Sequence, residues 1–141
     1  MEFEIDYKDA FKSRLKNLSH SERKKVLRFI KAFNEDGFEG ISKIQVDGFS
    51  VRNKPSTDVH KDDPSYLKKI RLATDERLFH FHAGFYNTSA NEYPIDNGYK
   101  RSHSDDLVSQ WLLHYRVVNE KTVALLDLRS HPPVNVLTLV W

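Results

Sequence analysis

Two apolar runs near the end of the chain constrain the fold most. Trp111-Leu112-Leu113-His114-Tyr115-Arg116-Val117-Val118 and Thr122-Val123-Ala124-Leu125-Leu126-Asp127-Leu128 flank the polar stretch Asn119-Glu120-Lys121. Runs of this length, rich in β-branched and aromatic residues around a short polar break, form an antiparallel hairpin. Arg129-Ser130-His131-Pro132-Pro133 ends the second strand, because proline cannot continue a central strand. Such a hairpin must bury at least one face, so the rest of the chain has to supply what covers it.

The N-terminal third supplies helices. Phe11, Leu15 and Leu18 recur at helical spacing, and Val26, Leu27, Ile30 and Phe33 make a second stripe. Ser19 and Glu22 have capping-box spacing at the start of that stripe, and Gly37 is a natural stop. Before them, Glu2-Phe3-Glu4-Ile5-Asp6 alternates like a short strand or extended arm. Residues 37–64 carry Gly37, Gly40, Gly48, Pro55 and Pro64 and read as a long loop with one short strand at 44–46. Tyr66 to Leu72 and Leu78 to Phe85 read as strands around a turn at Thr74-Asp75-Glu76. Residues 86–106, with Asn87, Asn91, Pro94, Asn97, Gly98 and paired aspartates, read as a second inserted loop of a functional or mobile kind. Val134 to Trp141 is an apolar tail that adds an edge strand or packs on the sheet. The expected fold is α+β: one domain over residues 1–141, with an N-terminal helical pair packed on a mainly antiparallel, twisted sheet.

Composition narrows the chemistry. The chain has 141 residues and no cysteine, which excludes disulfide scaffolds, thiolate zinc sites and Cys nucleophiles. Apolar residues at 39% and charged residues at 30% fit a globular domain. No apolar run reaches the roughly 18 residues of a membrane span. Met1-Glu2-Phe3-Glu4-Ile5-Asp6 lacks the basic and apolar regions of a signal peptide, so the expectation is a cytoplasmic chain with no membrane contact. The net charge is only +2, but it is unevenly spread. Between Phe11 and Ala32 lie Lys12, Arg14, Lys16, Arg23, Lys24, Lys25, Arg28 and Lys31 against a single acid, Glu22. Such a block suits a polyanion, nucleic acid above all, although a solvated helix face carries the same pattern.

His80 and His82 are two apart in an expected strand and therefore share a face, with Phe79 and Phe81 on the other. We expect the phenylalanines in the core and the imidazoles toward solvent, where histidine suits acid–base work near neutral pH. With a two-residue turn in the hairpin, His114 and Arg116 share a face with Leu125, Asp127 and Arg129, and His131 follows just beyond. Lys68, Lys69, Arg71 and Arg77 stand before the histidine pair as candidate phosphate contacts. Cations so near would lower the imidazole pKa.

These residues resemble the RelE/ParE superfamily of bacterial type II toxins, most closely its YafO-type branch. The likeness rests on the basic helical pair of residues 8–36 and on Tyr66-Leu67-Lys68-Lys69 followed by Phe79-His80-Phe81-His82-Ala83. It continues through Leu112-Leu113-His114-Tyr115-Arg116, Val123-Ala124-Leu125-Leu126 and the ending Arg129-Ser130-His131-Pro132-Pro133, with its best match over residues 65–133. The resemblance implies a ribosome-associated mRNA endoribonuclease held in check by a cognate antitoxin protein. It implies transphosphorylation by the 2′-OH without metal or other cofactor. That chemistry needs a base, an acid and cations for the phosphorane oxygens. His80, His82 and His131 are the candidate acid and base, and Arg116, Lys69 and Arg71 the candidate charge stabilisers. Lys68, Arg71, Tyr115 and Arg129 join Arg23, Lys24, Lys25 and Arg28 as candidate RNA contacts, with Tyr115 stacking on RNA if exposed.

Three other functions compete. A ParE-like member would inhibit DNA gyrase without catalysis, and would have no need of the polar sheet face. A His-x-His set with a third histidine would suit zinc or iron, but the next acid after His82 is Glu92. A plain nucleic-acid-binding module would use the basic helices alone.

Overall fold

The computed structural model describes residues 2–85, 92–130 and 136–139. In chain order the elements are β1 (Glu4–Tyr7), α1 (Asp9–Lys16), α2 (His20–Ser42), β2 (Gln45–Val46), β3 (Phe49–Ser50) and β4 (Asn53–Pro55). Then come α3 (Tyr66–Asp75), β5 (Leu78–His82), β6 (Lys100–Arg101), β7 (Leu107–Val108), β8 (Trp111–Asn119), β9 (Thr122–Ser130) and a 3-10 turn at Val136–Thr138. A five-stranded sheet runs β1-β9-β8-β5-β4, antiparallel except that β1 lies parallel to β9. The class is α+β with a mainly antiparallel sheet, as expected, but the helices are three and not all N-terminal.

The hairpin turn leaves Glu120 and Lys121 between the paired Asn119 and Thr122. Two irregularities follow, one passing over Val118 and one over Leu126, and their register shifts cancel. His114 therefore faces Asp127 and Leu112 faces Arg129, as a two-residue turn requires. Between the bulges the pairing differs: Arg116 faces Ala124, and Leu125 pairs with Tyr115 on the opposite side of the sheet. A single extra residue reverses which side every later side chain takes.

One side of the sheet is covered by the helical pair. Phe81, Leu113, Tyr115, Val123, Leu125 and Leu128 pack against Phe11, Val26, Phe29, Ile30 and Phe33. The capping box forms as its spacing predicts: Ser19 Oγ accepts from the Glu22 N–H at 3.2 Å, and Glu22 Oε1 accepts from the Ser19 N–H at 2.9 Å. Gly37 does not end α2. It turns the axis at φ 63°, and the helix continues to Ser42, burying Ile41. A Cβ at Gly37 would lie 2.3 Å from the Phe3 ring, so the close approach as well as the backbone angle requires glycine. The loop expected over 37–64 thus begins as helix and continues as the β2–β3 pair and β4.

The other side of the sheet differs most from expectation. Tyr66 to Asp75 is a helix, not a strand. Leu, Lys, Arg and Ala dominate it, all good helix formers, and buried Ala73 lies on the same helix face as Ile70, one turn before it, and Tyr66, two turns before it. α3 and the 3-10 turn bring Ala73, Val136 and Leu139 onto Leu78, Ala124 and Leu126, forming a second apolar cluster. Both sides of the sheet are therefore covered.

Candidate functional site

Strand alternation places Leu78, His80 and His82 on the second side of the sheet, opposite Arg116, His114 and Leu112 of β8. His80 and His82 do share a face, but the expectation that they point to solvent fails. They are 7% and 3% exposed, and His114 is fully buried. The ring centroids lie 5.7 Å apart for His80 and His82, and 6.3 Å for His80 and His114. α3, absent from the sequence reading, supplies the second layer that closes part of this face.

Each of the β5 imidazoles has a defined hydrogen bond. His80 Nδ1 shares one with Ser56 Oγ at 3.1 Å. His82 Nδ1 accepts from the Ser109 N–H at 2.9 Å. The Ser109 carbonyl lies 3.1 Å from the same Nδ1. Ser109 therefore holds this ring nitrogen through its main chain. The Tyr99 hydroxyl donates to the His82 carbonyl at 2.9 Å.

His82 borders an open cavity of about 350 Å³, together with Arg52, Tyr93, Lys100, Val108, Ser109 and Gln110. That volume lies within the range of small-molecule sites. The Lys100 ammonium sits 4.9 Å from the centre of the Tyr93 ring. Arg52 binds Asp106 through Nε at 2.8 Å and Nη2 at 3.0 Å. The hydrogen bond from Arg52 holds the Asp106 carboxyl below the usual carboxylate range, against the opposing effect of burial. The cavity thus combines an imidazole held by the Ser109 main chain, two cations and an aromatic ring. Such a set can orient an anionic, ring-bearing ligand and donate a proton to it.

The other candidates are dispersed. Lys69 of α3 is ion-paired with Asp63, which precedes the helix, and Lys68 and Arg71 are exposed beside a groove they share with Lys61, Tyr66 and Leu67. None of these lines the His82 cavity. Arg116 pairs with Glu76 at 3.2 Å, just past α3. Arg129 Nε binds Asp127 at 2.9 Å, and its Nη2 reaches the Thr138 carbonyl at 3.0 Å, tying β9 to the 3-10 turn. Arg77 donates to the Val118 carbonyl at 2.7 Å. Tyr115 is no stacking platform. It is 2% exposed, lies between Phe29 and Phe79, and donates to Asn53 Oδ1 at 2.6 Å. Burial raises its hydroxyl pKa above the ordinary tyrosine value. His131 lies outside the described residues.

On the helical pair, Arg23 and Lys24 are exposed, and Arg23 Nε donates to the Leu18 carbonyl at 3.1 Å. Arg28 pairs with Asp96 at 2.6 Å. Lys25 turns inward onto backbone carbonyls, and burial holds its pKa below the ordinary lysine value. The basic block thus divides into a solvated part and a part that ties α2 to Gly84, Asp96 and Asn97.

Sequence reasoning missed Arg52, Tyr93, Lys100, Ser109 and Gln110, which stand in the stretches read as loops or in the joint before β8. The only available signal was the length of residues 86–106, which marked a loop of a functional or mobile kind. Among the described residues, no group of three His, Asp or Glu side chains is arranged to hold a metal ion. No helix among them is long and apolar enough to cross a membrane. Comparison with protein families, with characterised proteins and with solved structures gives no match.

Proposed function

We propose that the chain is a toxin of the RelE/ParE type. On this reading it is an endoribonuclease that cuts translated mRNA on the ribosome and is neutralised by a cognate antitoxin. The observation that carries the reading is the cavity in which His82 meets Arg52, Lys100 and Tyr93. The order of strand, helical pair and antiparallel strands supports it, and so does the basic exterior of α1 and α2. α3 departs from the arrangement the resemblance implies.

Tyr93 offers a face for a base, and Lys100 a charge for the phosphate beside it. The 2′-oxygen attacks the adjacent phosphorus, the bond from phosphorus to the 5′-oxygen breaks, and a 2′,3′-cyclic phosphate forms. The 2′-OH proton passes to a base, for which His131 is the remaining histidine candidate. The leaving 5′-oxygen takes a proton from His82 in its imidazolium form, which returns to neutral imidazole. His80 supports β5 from the interior rather than meeting RNA. Lys69, Arg71 and Arg116 remain candidate phosphate contacts only at the α3 side of the sheet. Lys68 and Arg129 likewise lie away from the reacting groups.

Expression without a partner should arrest growth, and primer extension on a translated message should show new 5′ ends within the coding region. Cleavage should persist in excess EDTA. Intact messages in arrested cells would favour the second reading, a ParE-like gyrase inhibitor. Burial of His80 and His114 supports that alternative, because a binding protein needs no open catalytic face.

A further inference from the structure

Lys25 stands in the most basic stretch of α2, yet its ammonium is directed into the protein. Nζ donates to the carbonyls of Gly84 at 2.5 Å, Asp96 at 2.7 Å and Asn97 at 3.4 Å. An ammonium has three protons, so these acceptors use all of them. The approach is close by construction: a Cβ at Gly98 would lie 1.7 Å from the Gly84 oxygen and 2.8 Å from Lys25 Nζ. Only a residue without a side chain lets the two segments meet around the ammonium.

Both segments lead to His82. Gly84 lies two residues beyond it, and the Gly84 N–H donates to Ser109 Oγ at 2.9 Å. Ser109 in turn fixes His82 Nδ1. From the other segment, Tyr99 holds the His82 carbonyl and Lys100 lines the same cavity. We infer that Lys25 is a positioning residue for His82, a charged strut joining the end of β5 to residues 95–100 and so setting the cavity's shape. Its kinetic consequence rests on the endoribonuclease reading; its structural consequence does not.

The test uses the full chain labelled with ¹⁵N at lysine and histidine. The Lys25 ammonium should give a slowly exchanging signal near neutral pH in the parent protein. Exchange as fast as that of exposed lysines would overturn the inference, and this measurement requires no variant to fold. Lys25→Met should move the His82 Nδ1 and Nε2 resonances, and Lys25→Arg should restore part of the change. In RNA cleavage, Lys25→Met should lower kcat by about tenfold to 10²-fold with KM little changed, as expected for a misplaced reacting group. A folded Lys25→Met with unmoved His82 resonances would overturn the inference. So would a variant with parental kcat but weaker, less salt-dependent RNA binding, which would make Lys25 a phosphate contact. A parent that cleaves no RNA removes the endoribonuclease reading alone, because the resonances still decide what Lys25 does.

Discussion

The two sides of the central sheet are built from alternate residues of the same strands, yet they do different work. Toward the helical pair, Phe81, Leu113, Tyr115 and Leu125 meet Phe29 and Phe33 in continuous apolar contact. Phe29 alone has ring neighbours at 5.1 Å in both Phe81 and Tyr115. Toward α3, the same strands present His80, His82, His114 and Asp127, with an apolar cluster only where Ala73, Val136 and Leu139 reach them. Burying polar groups gains little stability even when they are hydrogen-bonded, because each has given up its water. The first side is therefore arranged for stability. The second retains polar groups that a purely structural layer would not need.

Truncation on each side should separate these roles. Phe29→Ala should give the largest effect, a loss of about 3–5 kcal/mol, since a fully buried ring leaves a cavity among packed neighbours. Urea unfolding would measure it, and a loss near that of a surface change would end the contrast. His80→Ala removes the partner of buried Ser56 and should cost about 1–3 kcal/mol. If His80→Ala proves as costly as Phe29→Ala, the histidine side is a structural core of equal weight.

A smaller effect should appear with pH at the cavity's rim. Asp106 has a folded pKa lowered chiefly by the Arg52 hydrogen bond, against an unfolded value of about 3.9. A depressed carboxyl contributes stability that is complete above its unfolded pKa and is lost as pH falls through its folded one. Stability should therefore decline below about pH 4 partly through this pair, and Asp106→Asn should flatten that part of the profile. The pair is about one-quarter exposed, so the contribution should stay near or below about 1 kcal/mol. Parallel acid titrations of parent and variant would contradict this.

What was legible in the sequence follows from periodicity. The β8–β9 hairpin, the Ser19–Glu22 capping box and the α2 stripe at Val26, Ile30 and Phe33 all follow from short-range spacing. Alternation also placed His80 and His82 on one face. It could not say what covers that face. Reading residues 66–72 as a strand removed α3, and with it the layer that buries the second side. The two bulges at Val118 and Leu126 were invisible because each depends on how both strands fit their neighbours. The cavity was least legible of all. Arg52, Tyr93 and Lys100 come from separate irregular segments, and only the fold brings them to His82.

The most direct test compares the parent with His82→Ala on a translated message, with product ends mapped in excess EDTA. The account predicts internal cleavage by the parent that leaves a 2′,3′-cyclic phosphate or 3′-phosphate, and a loss of about 10²–10⁴ in rate for a folded His82→Ala. Equal cleavage by the two proteins, or no cleavage by the parent, would contradict it.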